Sequence, residues 1–125
     1  LFNLGGEAGR DVTAFVRYAF SAGHATSIDR MWNLGLLIRG PLASRPNDSL
    51  AMGWTSARLA PKWRAVQTAA GIDTVAAEEA LEITWRAAIT QWFQLQPNFQ
   101  YIRRPGGAAA ARNATLIGAR VELTF

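Results

Sequence analysis

Six segments of this chain, 10–20, 30–39, 50–59, 78–89, 92–102 and 114–125, alternate two kinds of side chain with a period of two. Successive side chains of an extended strand point to opposite faces of a sheet, so this pattern selects strands over helices. In 10–20, Val12, Ala14, Val16, Tyr18 and Phe20 share one face, and Asp11, Thr13, Phe15, Arg17 and Ala19 share the other. In 30–39, Trp32, Leu34, Leu36 and Ile38 oppose Asn33, Gly35, Leu37 and Arg39. In 78–89, Leu81, Ile83, Trp85, Ala87 and Ile89 oppose Glu82, Thr84, Arg86 and Ala88. In 92–102, Phe93, Leu95, Pro97, Phe99 and Tyr101 oppose Trp92, Gln94, Gln96, Asn98 and Gln100. In 114–125, Thr115, Ile117, Ala119, Val121, Leu123 and Phe125 oppose Leu116, Gly118, Arg120, Glu122 and Thr124. Segment 50–59 leaves its outer face open: either Leu50, Met52 and Trp54 or Ala51, Gly53, Thr55 and Ala57 can occupy it.

Strands of this length are long for a soluble sheet, where about 5–6 residues is usual, and suit tilted membrane strands of about 9–11 residues. Aromatic residues fall near strand ends on the apolar faces: Tyr18, Phe20, Trp32, Phe93, Tyr101 and Phe125. Such girdles are expected where a barrel meets the two lipid–water interfaces. The opposite faces hold Arg, Glu, Gln, Asn and Thr, which suits a wet interior. The expected class is an all-β, antiparallel transmembrane β-barrel. The alternative is a soluble β-sandwich or small barrel with the apolar face inward, because alternation does not distinguish inside from outside.

The connections support the membrane reading. With the C-terminus on the periplasmic side, the long connections 61–77 and 103–113 are extracellular and the tight turn near Thr90 is periplasmic, as outer-membrane barrels require. Pro61 opens a short helix in the first of these, and Gly71 closes it. Pro105-Gly106-Gly107 makes a turn in the second, followed by an alanine run. Residues 1–9 read as the end of an earlier element and a glycine-rich turn. Residues 40–49 form a further turn and 21–29 a polar loop. That loop carries His24, the one histidine, together with Ser27 and Asp29. His24 reads as a solvated loop residue, and no nucleophile elbow accompanies the Ser, His and Asp.

Composition narrows the function. A length of 125 residues fits one domain. The start at Leu1 reads as a processed chain or a fragment. Charged residues are 18% of the chain, below the about 25% of soluble domains. No apolar run reaches the about 18 residues of a membrane helix. Without cysteine there is neither a disulfide framework nor a thiol metal site. The net charge of +4 comes from 13 basic residues, all Arg except Lys62, against 9 acids. These are scattered rather than clustered, which argues against a nucleic-acid surface.

One block is specific. Gln96-Pro97-Asn98-Phe99-Gln100-Tyr101-Ile102-Arg103-Arg104-Pro105-Gly106-Gly107 resembles a pattern of the OprB-type carbohydrate-selective porins: Gln-Pro-Asp-x-Gln-Tyr, an aliphatic residue, two further positions and Pro-Gly-Gly. Asn98 stands where the family pattern has Asp. Glu82-Ile83-Thr84-Trp85 is similar to the family's Glu-x-x-Tyr, with Trp for Tyr. Arg45-Pro46-Asn47-Asp48 is similar to its Arg-Pro-x-Asp turn, and Phe15-Val16-Arg17 to a Phe-x-Arg element. Gly118, Arg120 and Phe125 fit its last strand, whereas 61–77 matches no motif. The resemblance implies a sixteen-stranded barrel of the bacterial outer membrane that passes sugars by diffusion. Six strands do not close a barrel, the smallest bacterial ones having about eight. Residues 1–125 are therefore expected to be the C-terminal part of a single barrel domain, without its N-terminal strands and inward-folded constriction loop.

The candidate pore lining is Arg17, Arg39, Glu82, Arg86, Trp92, Gln94, Gln96, Asn98, Gln100, Arg120 and Glu122. Guanidinium groups orient hydroxylated or anionic solutes through planar donors, and amides both donate and accept as water does. The structural alternative is a ladder of cross-strand Arg–Glu pairs and amide hydrogen bonds that braces the wall. Trp92 either stacks on a sugar ring or belongs to the aromatic girdle. Pro97 lacks a ladder donor and calls for a bulge, which would re-aim Gln96 and Asn98, or a locally unpaired position. Phe99, Tyr101 and Phe125 are candidate membrane anchors, and by resemblance the terminal Phe125 is also a signal to the barrel-assembly machinery.

The expected function is passive carbohydrate diffusion, with sugars or other small hydrophilic solutes and outer-membrane lipid as partners. No cofactor, metal, enzymatic step or nucleic acid is expected. The rivals are a general or anion-preferring porin on the same barrel, suggested by the Arg excess, and a secreted soluble β-domain that binds a ligand.

Overall fold

In a computed structural model, seven strands form one antiparallel sheet in the order β1-β2-β3-β4-β5-β6-β7, each hydrogen-bonded to its neighbour in sequence. The structure describes residues 2–5, 10–22 and 26–125. The predicted glycine turn at 6–9, together with Gly23 and His24, lies outside the described residues. The strands are β1 Phe2–Asn3, β2 Asp11–Phe20, β3 Ile28–Arg39, β4 Ser49–Leu59, β5 Ala77–Ala88, β6 Phe93–Arg103 and β7 Ala114–Leu123. The six long ones coincide with the six alternating segments to within about two residues at most ends. The short β1 is the end of an earlier element that residues 1–9 suggested; Phe2 lies opposite Ala14 and Asn3 opposite Thr13. Residues Ile28 and Asp29 belong to β3 rather than to the preceding loop.

Helix α1, Pro61–Ala69, fills the connection between β4 and β5. Pro61 starts it, where a missing N–H costs nothing, and Gly71 ends it at φ 78°. No helix among the described residues is long and apolar enough to cross a membrane. The six long strands are 10 to 12 residues each. At about 3.3 Å per residue and a tilt of about 45°, that spans the roughly 25 Å apolar band of an outer membrane.

The register decides the faces. Trp32, Leu34, Leu36 and Ile38 of β3 pair with Tyr18, Val16, Ala14 and Val12 of β2. On the other side Leu34, Leu36 and Ile38 pair with Trp54, Met52 and Leu50 of β4. Those three in turn face Leu81, Ile83 and Trp85 of β5. The open question in 50–59 is thereby settled: Leu50, Met52 and Trp54 lie on the apolar face, and Ala51, Gly53, Thr55 and Ala57 on the polar one.

The sheet is a single layer. Among the described residues the buried apolar side chains are Ala57, Leu59 and Ala60, all at one end of β4. Val16, Trp32, Leu34, Ile117 and Val121 stay exposed along the apolar face. A sandwich covers such a face with a second sheet or helices. Here α1 buries no residue, so the described part of the chain supplies no second layer.

Both ends of the apolar face are marked. At the end carrying the longer connections, the Tyr18 ring lies 4.5 Å from Trp32 and 6.1 Å from Phe20. Arg103 pairs with Glu79 at 2.9 Å on the same face, beyond Tyr101 and Leu81. At the opposite end Trp92 and Phe93 are 6.0 Å apart.

Candidate functional site

The polar face runs in lateral rows, because directly opposed residues on neighbouring strands share a face. One row is Arg17, Asn33 and Thr55; the next is Phe15, Gly35, Gly53, Glu82 and Gln100; a third is Thr13, Leu37, Ala51, Thr84 and Asn98. All the predicted lining residues except Trp92 occupy this face. Trp92 belongs to the turn before β6, not to the strand, and its ring neighbours Phe93. Trp92 thus stands at the sheet end, one residue before the strand in which alternation had set it.

Several of these groups are partnered across neighbouring strands, with Asp, Gln and Asn as well as Glu. Arg39 donates to Asp11, directly opposite, at 2.8 Å. Arg86 donates to the Gln94 amide oxygen at 2.6 Å. Glu82 accepts from Asn98 Nδ2 at 2.7 Å and from Thr84 Oγ1 at 3.3 Å, and Asn98 also donates to Thr84 at 2.8 Å. Arg120 and Glu122 sit two apart on β7, 3.8 Å from each other. The amides thus divide. Gln94 and Asn98 are engaged by charged groups. Gln96 and Gln100 have no side-chain hydrogen bond among the described residues, and Arg17 has neither hydrogen bond nor ion pair there.

Pro97 does not produce a bulge. The β5–β6 pairing runs in one register from Glu79↔Arg103 to Ala88↔Gln94, with a gap between Thr84↔Asn98 and Ala87↔Leu95. On its other side Pro97 pairs with Ala119 in an unbroken ladder. The missing N–H is accommodated as a locally unpaired position, so Gln96 and Asn98 keep the orientation that alternation gives them.

Glycines shape the middle of the polar face. A Cβ on Gly35 would lie 2.0 Å from Phe15 Cε1, so the Phe15 ring occupies the space above Gly35. Beside it, a Cβ on Gly53 would meet nothing nearer than the Leu34 carbonyl oxygen at 3.9 Å. The result is a groove of about 340 Å³. Phe15, Leu37, Ala51, Gly53, Glu82 and Thr84 are among the residues that line it, and nearly all of the surface they expose there is apolar. Sequence alternation placed these residues on one face, but pairing across three strands brings them together.

At the end with the longer connections, the loop after β6 turns inward. Gly107 is buried against Leu59, which lies on the polar face of β4. Gly106 N donates to Glu78, Val75 N donates to Gly107 O at 2.8 Å and Ala109 N to Asp73 O at 2.8 Å. The 3-10 turn Pro105–Gly107 and the connection carrying α1 thereby form one cap over that end of the polar face.

The turn between β3 and β4 holds the feature that sequence reading placed without assigning it a role. Asp48 is 2% exposed. Its carboxylate accepts from Arg45 Nε, from Trp85 Nε1 at 2.9 Å and from Ala88 N at 3.0 Å. The Arg45 hydrogen bond holds the Asp48 carboxyl below its ordinary value, against the upward pull of burial, with Trp85 and Ala88 assisting. The Arg45 guanidinium is raised in return. The Arg-Pro-x-Asp spacing was the signal; its partners lie two strands' length away in sequence.

Among the described residues no group of three or more His, Asp or Glu gathers in a metal-binding arrangement.

Comparison with known proteins places the chain in a family. The chain matches the family model described as carbohydrate-selective porin, OprB family, over residues 2–125. It is 26% identical to Porin B of Pseudomonas aeruginosa over 133 aligned residues, which cover 96% of this chain and 29% of that protein. Its fold superimposes on the high-pH structure of Pseudomonas putida OprB with a TM-score of 0.80 at 22% identity, covering 94% of this chain and 31% of that one. The chain therefore spans less than a third of the length of the relatives it matches. With a family match along nearly its whole length and a fold that follows part of a porin barrel, the chain belongs to the OprB family of carbohydrate-selective porins.

Proposed function

We propose that residues 1–125 form the C-terminal part of the wall of an outer-membrane barrel through which carbohydrates diffuse passively. The observation that carries this reading is the single-layer sheet: one face is apolar and exposed from strand to strand, the other polar, and no core lies between. Lipid covers the first face and water the second. Phe99 and Tyr101 face acyl chains, and Phe125 anchors the last strand and serves the assembly machinery. Sugars exchange part of their hydration for the unengaged Gln96 and Gln100 amides and for Arg17. Arg39, Arg86, Asn98 and Glu122 set the local field and brace the wall. Passive diffusion of this kind needs no cofactor or energy source, and the reading is of a channel, not an enzyme. Liposomes containing the complete protein swell faster in sugar than empty ones; equal rates overturn the reading.

A second reading, a general porin with anion preference, is favoured by Arg17, whose charge no described residue neutralises. Reversal potentials under a salt gradient distinguish it: strong anion selectivity without sugar block favours this reading over the first.

A further inference from the structure

We propose that Arg30, Arg58 and Lys62, at the long-connection end of the apolar face, form a site for the phosphate of an anionic lipid headgroup. The proposal rests on the outer-membrane reading above and names the lipid chemistry that this part of the wall takes.

Register produces the site. Arg30 of β3 and Arg58 of β4 stand directly opposite each other. Arg30 also faces Phe20 of β2, next to the Trp32–Tyr18 pair, and so shares the apolar face with them. Like charges directly opposed across strands are destabilising. The sheet does little to relieve this pair. The register shifts between Ile28 and Arg30 and leaves Asp29 without an opposite residue. Asp29 Oδ1 approaches Arg58 Nε only to 3.9 Å and has no hydrogen-bond partner among the described residues. Arg30 has neither hydrogen bond nor ion pair there. Lys62, at the start of α1, lines a cleft of about 440 Å³ together with Arg30, Tyr18, Phe20 and Asp29. Three cations thus gather around one acid.

The same face offers a contrast. Arg103, also at this end, has Glu79 directly opposite it at 2.9 Å. There the sheet supplies the counter-ion. Between Arg30 and Arg58 it supplies none, and an anion placed there turns a repulsion into two attractions. Phosphate suits the position, because each guanidinium offers it parallel N–H donors. The anion belongs to a lipid rather than to a free solute because of what lies beneath. Tyr18, Phe20 and Trp32 are exposed below the cations, followed by exposed Val16 and Leu34. A headgroup held by the cations lays its acyl chains along that surface, with the aromatic rings at the boundary.

The probe is lipid A, a glycolipid bearing two phosphates, titrated into the complete porin in uncharged detergent. Bound lipid is counted by native mass spectrometry. Arg30→Gln/Arg58→Gln should raise the half-saturating concentration at least about tenfold, in line with the worth of two basic groups at an anionic surface. Arg39→Gln/Arg86→Gln removes the same net charge from the polar face. It should change that concentration less than about twofold, because salt screens charges more than about 10 Å away. Equal weakening by the two double variants makes the effect one of net charge and overturns the site. Lipid A should raise the thermal midpoint of the unaltered protein, and inorganic phosphate at the same concentration should not; an equal rise with phosphate assigns the cations to a free anion and overturns lipid docking. Without lipid, Arg30→Gln/Arg58→Gln should unfold at or above the midpoint of the unaltered protein, since it relieves a repulsion. A lower midpoint gives the two arginines a structural role and overturns the account. Both lie on the outer face, so sugar-driven swelling should persist in this variant. Swelling that persists while lipid A binds it and the unaltered protein equally overturns the site and leaves the porin reading standing. If the unaltered protein neither enters liposomes nor passes sugar, the outer-membrane reading fails and the site with it.

Discussion

Asp48 and Trp85, 37 residues apart in sequence, are joined by a 2.9 Å hydrogen bond from the indole Nε1 to a carboxylate oxygen that solvent scarcely reaches. The same carboxylate takes the N–H of Ala88 and the guanidinium of Arg45. One buried charge therefore ties the β3–β4 turn to the end of β5. A buried carboxylate persists only when its hydrogen bonds are satisfied. Here three donors do so, and the sheet gains a fixed turn where a loose one would fray its edge.

Removing the carboxylate strands those donors. Asp48→Ala should lower the stability of the complete protein in detergent by about 2 kcal/mol, the usual cost of deleting a charged hydrogen-bond acceptor. A denaturation midpoint equal to that of the unaltered protein would falsify the assignment.

The same group sets an acid dependence. Its folded-state pKa lies below the ordinary 3.8, so the unfolded chain binds its proton first as pH drops. Its contribution is fully present above that ordinary value and is lost as pH falls through the folded value. Thermal midpoints measured at neutral pH and near pH 3 should fall further in the unaltered protein than in Asp48→Asn, which has no proton to take up at this site. Parallel decreases in the two proteins would assign the acid sensitivity elsewhere.

Trp85→Phe tests the indole by itself. It keeps an aromatic ring on the apolar face and removes one donor, leaving Arg45 and Ala88 in place. A loss of about 1 kcal/mol is expected, smaller than that of Asp48→Ala. A loss as large as the latter would mean that ring packing, not the hydrogen bond, holds the turn.

Arg17 and Arg39 stand on one face with different surroundings. Arg39 is neutralised by Asp11 at 2.8 Å, and Arg17 has no ion pair among the described residues. Arg17→Gln should therefore shift the reversal potential toward cation preference more than Arg39→Gln does, with less than about 0.5 kcal/mol change in stability. The opposite order, read from bilayers under a salt gradient, would place the effective lumen charge at Arg39.

Two adjacent glycines separate backbone strain from crowding. Gly106 and Gly107 have φ of 66° and 70°. A Cβ on Gly106 meets nothing within 4 Å, whereas one on Gly107 falls 2.0 Å from Leu59 Cδ1. Gly106→Ala carries the left-handed penalty of about 1–2 kcal/mol. Gly107→Ala adds overpacking against buried Leu59, about 1–3 kcal/mol more. Limited proteolysis should cut the 104–113 loop faster in Gly107→Ala than in Gly106→Ala; equal rates would remove Leu59 as the cause.

Strand positions, the helix bounded by Pro61 and Gly71, and the two faces of five long strands were legible in the sequence. Alternation and turn chemistry are local properties, carried by each segment alone. The face of β4 was not legible, because Ala51, Gly53 and Ala57 are small enough for either side. Only pairing with Leu34 and Leu36 on one flank, and Leu81 and Ile83 on the other, chose it. Pro97 shows the same division: the sequence required that it lack a ladder bond, and the register decided that a gap would serve rather than a bulge. The Phe15–Glu82 groove and the Asp48 cluster depend wholly on register and chain reversal. Which residues face each other across neighbouring strands is a relation between segments, and no period within one segment contains it. The sequence determined a sheet with an apolar and a polar side; the tertiary structure decided which residues meet across it.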